Sequence, residues 1–380
     1  MKSIIIKSIK MIGIVLLSII GLVAIIGILF VNLSPEFGGK YSKAKQKDYE
    51  LTRHYEKGKF LNQIETSLDL KFGDMLGTMK DFIVGTPNRE PQFDIPVESV
   101  DSLSLEKDHS KPRLIWFGHS AFLLQIDQKN ILLDPMFGDV PAPHPMLGNK
   151  RYSASLPIEI EKLPHIDAVI ISHDHYDHLD YGSIEKLKSK TQKFFVPLGV
   201  GAHFQAWGIA PENIIELDWW ENAHLDSLEF VFTPSRHFSG RGLTDRNSTL
   251  WGSWVIQGDH HKIYFSGDSG YGPHFKEIGE KYGPFDLAMV ECGQYNEKWS
   301  EIHMMPEESA QAGKDLNAQK VMPIHWGAFS LALHTWTDPV ERILKKSKEL
   351  DLNIITPRIG EFIQLDAQNS AYHAQWWLNQ

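Results

Sequence analysis

The chain has one cysteine, Cys292, in 380 residues. A single thiol excludes an internal disulfide framework and any metal site built on cysteine alone. Surplus positive charge is missing too: 38 Lys and Arg stand against 48 Asp and Glu, for a formal net charge of −10. A polyanion binder that neutralises phosphates broadly needs the opposite balance, so nucleic acid is not an expected partner. No internal repeat and no low-complexity block is visible. With 42% hydrophobic and 23% charged residues, the chain is neither disordered nor fibrous, and it fits one large domain or two small ones.

Long apolar runs are absent with one exception. From Met11 to Val31 there is no charge in 21 residues, and only Ser18 and three glycines interrupt the apolar side chains. A helix of that length crosses a hydrocarbon core of roughly 30 Å. The rival is a cleavable signal peptide, whose apolar region is shorter and ends in an A-x-A-like site. Here Asn32-Leu33-Ser34-Pro35-Glu36 follows, which favours an uncleaved anchor in the cell membrane. Lys2, Lys7 and Lys10 precede the run and favour the N-terminus inside, with the main domain extracytoplasmic. Lys40, Lys43, Lys45 and Lys47 oppose that orientation, so the side stays open. Without the three leading lysines, residues 11–380 carry −13.

The expected organisation is a basic flank (1–10), a transmembrane anchor (11–33), a linker and helical extension (34–111), a catalytic domain (112–365) and a tail (366–380). In the extension, Leu61, Ile64, Leu68, Leu70, Phe72, Met75 and Leu76 recur at loosely helical spacing up to Phe82. After Pro112, β-rich runs appear at Leu114–Phe117, Ala121–Ile126, Ile131–Asp134, Ala168–Ser172, Phe194–Pro197 and Leu228–Thr233. Others are Trp251–Gln257, Lys262–Ser266, Leu287–Glu291, Lys320–Ile324 and Asn353–Thr356. Helical stretches are expected at Ser183–Lys190, Pro306–Leu316 and Pro339–Leu350. Strand–turn–strand first and strand–helix alternation later predict an α/β layered architecture of stacked sheets with helices outside.

The densest chemistry is Ser172-His173-Asp174-His175-Tyr176-Asp177-His178-Leu179-Asp180, reached directly from an apolar strand. Imidazoles and carboxylates are what Zn²⁺ takes when thiolates are absent. His173 and His175 are two residues apart, so in extended backbone they point the same way and can grip one ion. Asp177 and His178, past a turn, can face a second. Three later strands run into polar turns: Pro234-Ser235-Arg236-His237, Gly267-Asp268-Ser269-Gly270 and His325-Trp326-Gly327. A lone His at a strand end is usually a structural hydrogen bonder. Four such ends together read as one site on one edge of a sheet sandwich. His119, in a Gly-His-Ser turn, is one more to follow. Trp219-Trp220 and Trp376-Trp377 suit either interfacial membrane contact or the core.

His-x-His-x-Asp-His, a lone His, Gly-Asp and a late His together resemble the metallo-β-lactamase fold superfamily, over roughly Pro112 to Gln364. The resemblance implies a four-layer αββα sandwich and a binuclear zinc site, here preceded by the single N-terminal transmembrane helix. His173, His175 and His237 would hold one zinc, Asp177, His178 and His325 the other, and Asp268 would bridge them. The same string resembles the N-acylphosphatidylethanolamine-hydrolysing phospholipase D family. So do Gly118-His119-Ser120, Leu133-Asp134-Pro135, Gly270-Tyr271, Gly293-Gln294-Tyr295 with Trp299, and His303-Met304-Met305-Pro306-Glu307-Glu308. In that family the residues matching Asp134 and His303 are important for activity. Two departures bear on the head group: Glu297-Lys298 stands where the family has Pro-Arg, and the segment from Arg151-Tyr152 lacks its prolines. Lys does not replace a bidentate Arg contact to phosphate.

The resemblance implies a phosphodiesterase that cleaves such lipids to phosphatidic acid and an N-acylethanolamine. Two zinc ions lower the pKa of a shared water and neutralise charge on an anionic substrate. Asp174 and Asp180, with Asp134, are expected to orient imidazoles from behind. His303 is expected to protonate the leaving alkoxide or to bind phosphate, and Tyr176 to hydrogen-bond a phosphate oxygen or to pack. The expected partners are a phospholipid or other small ester and the membrane, with Lys298 as a local cation. A lactone or ester hydrolase on the same metals, and a non-catalytic membrane-anchored metal-binding protein, remain as alternatives.

Overall fold

A computed structural model describes residues 2–67, 77, 78, 80, 81, 84–106, 111–366, 372 and 375–378. The N-terminal helix α1 runs from Lys2 to Leu33, so the basic flank expected at 1–10 continues into the anchor as one helix. Its segment Ile4–Leu33 contains an 18-residue stretch with a mean hydropathy of 3.2, none of it buried within the molecule, so it is a candidate membrane span.

No free tether separates α1 from the rest. The Pro35 carbonyl accepts from Trp207 Nε1 at 2.9 Å, the Glu36 carbonyl from Arg241 Nε at 2.9 Å, and Gly39 N–H donates to His203 Nδ1 at 3.1 Å. Gly38 has φ +69°, and a side chain there would run into the His203 ring. Short helix α2 (Lys43–Tyr49) and hairpin β1 (Tyr55–Glu56) and β2 (Lys59–Phe60) follow. Tyr49, Tyr55 and Phe60 are buried in the main core. The linker expected from residue 34 is thus a docked segment. Residues 61–67 of the expected extension helix are irregular, and helix is seen at 77, 78, 80, 81 and 84. Leu68, Leu70, Phe72, Met75, Leu76 and Phe82 lie outside the described residues.

Helix α3 (Ser102–Glu106) leads to β3 (Arg113–Trp116), β4 (Phe122–Ile126), β5 (Lys129–Leu133) and β6 (Ile166–Ile170). Helix α4 (Tyr181–Leu187), β7 (Thr191–Pro197), α5 (Gly201–Ala206) and β8 (Ile214–Leu217) complete the first half. The second half contains β9 (Asn222–Leu225), β10 (Leu228–Thr233), β11 (Ser253–Gln257), β12 (Lys262–Phe265) and α6 (His274–Tyr282). It ends with β13 (Leu287–Glu291), α7 (Pro306–Asp315), β14 (Val321–Ile324), α8 (Asp338–Leu350) and β15 (Phe362–Gln364). One sheet has the order β15-β3-β4-β5-β6-β7-β8 and the other β14-β13-β12-β11-β10-β9. The expected strand Asn353–Thr356 forms only an isolated bridge, Val321 with Ile354, while β8, β9 and β15 are strands beyond those expected.

Alternation along the strands builds the layers. Leu114, Trp116, Phe122, Leu124, Ala168, Ile170 and Phe195 face Phe230, Phe232, Trp254, Ile263 and Met289 across the space between the sheets. The opposite faces pack outward. Ile115, Leu123, Val169 and Phe194 meet Leu105 of α3, Ile184 and Leu187 of α4 and Phe204 of α5. Val255, Tyr264, Ala288 and Val290 meet Phe275 of α6, Ala310 of α7 and Ile343 of α8. Helix, sheet, sheet, helix is the four-layer αββα order. The tail is part of the core: Tyr372, Trp376 and Trp377 are buried in it, as is Trp219, so these tryptophans are not interfacial membrane contacts.

Candidate metal centre

The strands β5 and β6 are parallel, as are β12, β13 and β14, so their C-terminal ends gather on one edge of the sandwich. Ligands in open α/β sheets bind at such ends. After β6 the chain turns back, with His178 N–H and Leu179 N–H both donating to the His175 carbonyl at 3.1 and 2.8 Å. That turn sends His173, His175, Asp177 and His178 inward. His237 follows β10, Asp268 follows β12, and His325 follows β14.

These side chains form overlapping groups whose ligand atoms lie within 4.8 Å of one another. The first is His173, His175, His237 and Asp268. The second is Asp177, His178 and His325, with His119 added. A third joins Asp268 and His325 to Glu291 and His303. Asp268 lies between the first two. Its Oδ1 is 3.1 Å from both His178 Nε2 and His325 Nδ1, and its Oδ2 is 3.7 Å from His173 Nε2 and His237 Nε2. Gly267 lets this turn approach: its φ is +55°, and a Cβ there would come within 2.5 Å of the Ser172 Cβ.

The atoms behind the rings fix which nitrogens face inward. His178 Nδ1 donates to Asp134 Oδ2 at 2.7 Å, and Ser172 donates to the same carboxylate through its N–H at 2.7 Å and its hydroxyl at 2.5 Å. With that hydroxyl hydrogen committed, Ser172 Oγ accepts from His173 Nδ1 at 2.9 Å. His237 Nδ1 donates to the Ile302 carbonyl at 3.0 Å. The Nε2 atoms of all three imidazoles therefore face the centre. His175 Nδ1 lies 2.9 Å from His173 Nε2 and 3.2 Å from His237 Nε2. Three imidazole nitrogens converging at that distance can share one proton or close on a metal cation. His178 Nε2 and Asp268 Oδ1 lie buried 3.1 Å apart without a well-aligned hydrogen bond, so both stay available to an ion on the other side. The residues present thus fit divalent metal ions.

Electrostatics sets His178 apart, because in its own group burial holds His325 well below the usual imidazole range and brings His119 to about 4. Burial holds His173 and His237 well below the usual imidazole range and brings His175 to about 4. Burial also opposes charge on His178, but the Asp268 and Asp177 carboxylates outweigh it and raise that imidazole well above its usual range. Burial pushes Asp268 up to about 6. Strain marks the same place: His119, Asp134 and His325 hold φ of +55°, +38° and +66°, which non-glycine residues adopt sparingly.

Other expected residues face elsewhere. Asp174 accepts from Thr249 Oγ1 at 2.8 Å, Gly240 N–H at 2.8 Å and His203 Nε2 at 3.3 Å, so it braces the 240–249 loop and orients no candidate ligand. Asp180 caps α4, accepting Ser183 N–H at 2.8 Å. Asp134 alone of the three aspartates stands behind a candidate ligand, fully buried and out of reach of substrate. Tyr176 donates to the Arg241 carbonyl at 2.7 Å, and the Arg241 guanidinium covers its ring at 4.1 Å, so its hydroxyl is already committed. Lys298 Nζ turns away to Thr78 Oγ1 at 3.0 Å. His303 reaches the centre beside Glu291, a residue for which the sequence carries no expectation. The signal available is a charged residue closing the apolar run Leu287–Val290.

Beside His237 opens a cavity of about 460 Å³, lined by Asn62, Thr66, Phe238, Arg246 and Ile302 among others. The Phe238 ring meets that of His175 edge-on at 4.5 Å, and the Arg246 guanidinium lies over the Phe238 ring at 4.2 Å.

An αββα sandwich with imidazole and carboxylate groups sharing one aspartate on its strand-end edge defines a metal-dependent hydrolase class. Residues 129–326, just over half the chain, match the β-lactamase superfamily domain, and the chain belongs to that superfamily. It is 38% identical over 333 residues to an uncharacterized protein of Mycobacterium tuberculosis, covering 86% of this chain and 88% of that one. It is 31% identical over 281 residues to N-acyl-phosphatidylethanolamine-hydrolyzing phospholipase D 1 of Caenorhabditis elegans, covering 69% and 79%. Among solved structures, a possible metal-dependent hydrolase from Veillonella parvula shares the fold, with a TM-score of 0.54 at 16% identity over 67% of this chain and all of that one.

Proposed function

We propose that the protein is a membrane-anchored zinc phosphodiesterase of phospholipase D type. Its substrates would be N-acylphosphatidylethanolamine-like lipids, hydrolysed to phosphatidic acid and N-acylethanolamine. The observation that carries this reading is Asp268, with one oxygen toward His178 and His325 and the other toward His173 and His237. A carboxylate so shared suits two ions. Bound there, a zinc pair would supply Lewis acidity, activating water near neutral pH and neutralising phosphoryl charge. The relationship to the Caenorhabditis elegans phospholipase supports the lipid substrate.

The chain's own residues prepare that chemistry. Asp134, Ser172 and the Ile302 carbonyl fix the candidate ligands in the tautomer that offers Nε2. Arg246, beyond Phe238, offers positive charge to an anionic substrate in the polar cavity. The anchor also meets the site. Phe30 packs on Phe37 at 5.3 Å, and Phe37 on Tyr176 at 6.4 Å, within the His173–His178 loop. Met146 and Leu243, each 87% exposed, flank the last turns of α1 through His144 and Val31. A site held at the bilayer surface meets lipid at high effective concentration.

The test uses the full chain in lipid vesicles, with metal analysis and a panel of N-acylated phosphatidylethanolamine, lactones and simple esters. Phosphatidic acid formation with about two zinc ions per chain is expected. Lactone or ester turnover without phosphatidic acid would assign the polar cavity to the smaller substrate. Metal binding with no turnover would leave a non-catalytic metal protein.

A further inference from the structure

Glu291 closes β13, is completely buried, and brings its Oε1 to 2.6 Å from His303 Nδ1. Its other oxygen accepts Ser269 N–H at 3.0 Å, and its own N–H donates to Ser266 Oγ at 2.9 Å. The carboxylate is therefore clamped to the turn that carries Asp268. The His303 ring lies almost parallel to that of His325, with centroids 5.3 Å apart and 13° between planes. It stands edge-on to His237 at 5.0 Å and 70°. Thus His303 sits over one candidate ligand from each metal group, and with 14% of its side chain exposed it borders the open face.

We propose that Glu291 is a positioning residue acting through His303: it takes the Nδ1 hydrogen and leaves Nε2 free toward the reacting groups. A buried carboxylate behind an imidazole sets its tautomer and orientation, as in hydrolytic triads. In hydrolysis of a phosphodiester, His303 Nε2 accepts a proton as the water oxygen bonds to phosphorus. It returns that proton to the departing alkoxide oxygen, which keeps the electron pair of the broken P–O bond. This step rests on the proposed hydrolysis, whereas the tautomer does not.

The experiment is a double-mutant cycle on the metal-loaded full chain. Glu291→Gln keeps an acceptor and is expected to lower kcat about 10-fold, and Glu291→Leu about 100-fold, with KM held within about 2-fold. In a His303→Ala background neither change is expected to move the residual rate more than about 2-fold. Losses that add in that background, or an unchanged kcat in Glu291→Leu, overturn the proposal. ¹⁵N-histidine NMR is the independent readout. A protonated Nδ1 on His303 in the parent and in Glu291→Gln supports it, and a protonated Nε2 with bare Nδ1 overturns it. If no phosphodiester or ester is turned over, the functional reading fails and the tautomer alone decides.

Discussion

The two halves of the metal centre solve the same burial problem differently. In the first group, His173, His175 and His237 point nitrogens at one another, and burial disfavours a proton on any of them. In the second, burial likewise depresses His119 and His325, but His178 lies among Asp134, Asp177 and Asp268, whose carboxylates raise it well above its usual range. Both groups share Asp268, but the second has Asp134 and Asp177 around His178 as well, and the first has no such further carboxylate among its candidate ligands. A metal should therefore matter more to the integrity of the first group than of the second.

The strongest way to break that contrast is to remove the residue both groups share. Asp268→Ala is expected to abolish turnover, by about 10³-fold or more, and to lower the metal content of the purified chain. Retention of two ions by Asp268→Ala would mean the groups are independent. Next in size is Asp134→Ala, which strips both His178 Nδ1 and the Ser172 hydroxyl of their acceptor. Loss of such a buried partner costs about 10- to 100-fold in metal affinity or activity. Competition with a chelator should find the weakened ion while His237 remains loaded, and an equal loss at both positions would erase the distinction.

Removing the metal sharpens the same comparison through pH. In the metal-free chain His175 and His119 have folded pKa values of about 4, depressed by burial below the ordinary 6.5. Between pH 4 and 6.5 the unfolded chain binds more protons than the folded one at these groups, so their contribution makes stability rise with pH across that window. His178 runs the other way: its raised pKa makes the folded chain the better proton binder above 6.5, and that contribution is lost as pH rises through the folded value. Thermal unfolding of chelated protein should therefore show Tm climbing from about pH 4 to about 6.5. A Tm falling over that range would show that His175 and His119 are not held neutral.

How much of this is legible in sequence depends on whether the information is local. His173 to His178 is dense enough to be read directly, and His237, Asp268 and His325 stand where apolar strands end, so their gathering follows from strand direction. Asp174 and Asp180 defeat the same reading. They share a residue type and a neighbourhood with Asp177, and only the turn after His175 decides that Asp174 faces the 240–249 loop and Asp180 caps α4. Glu291 escapes it because its partner His303 lies across a loop. The strands tell a similar story: β10 and β13 are apolar and match the sequence residue for residue, whereas β8 and β9 are half-exposed and lack a clear alternation. Docking of the segment after α1 is hidden because its burial comes from single aromatic residues, Tyr49, Tyr55 and Phe60, spaced without a period.

The smallest predicted effect tests the outward-facing aspartate against the inward-facing ones. Asp180 accepts Ser183 N–H at the start of α4, satisfying a donor that the helix itself leaves free. Asp180→Ala should cost about 1 kcal/mol, typical of a lost N-cap, and should be visible as a small drop in denaturant midpoint. Metal content and kcat should stay at parent values, because the side chain touches no candidate ligand. If Asp180→Ala instead lost metal, α4 would have to be transmitting strain to His178 through Leu179, two residues upstream of the helix. The division between aspartates that hold the centre and aspartates that hold the fold would then be one of degree.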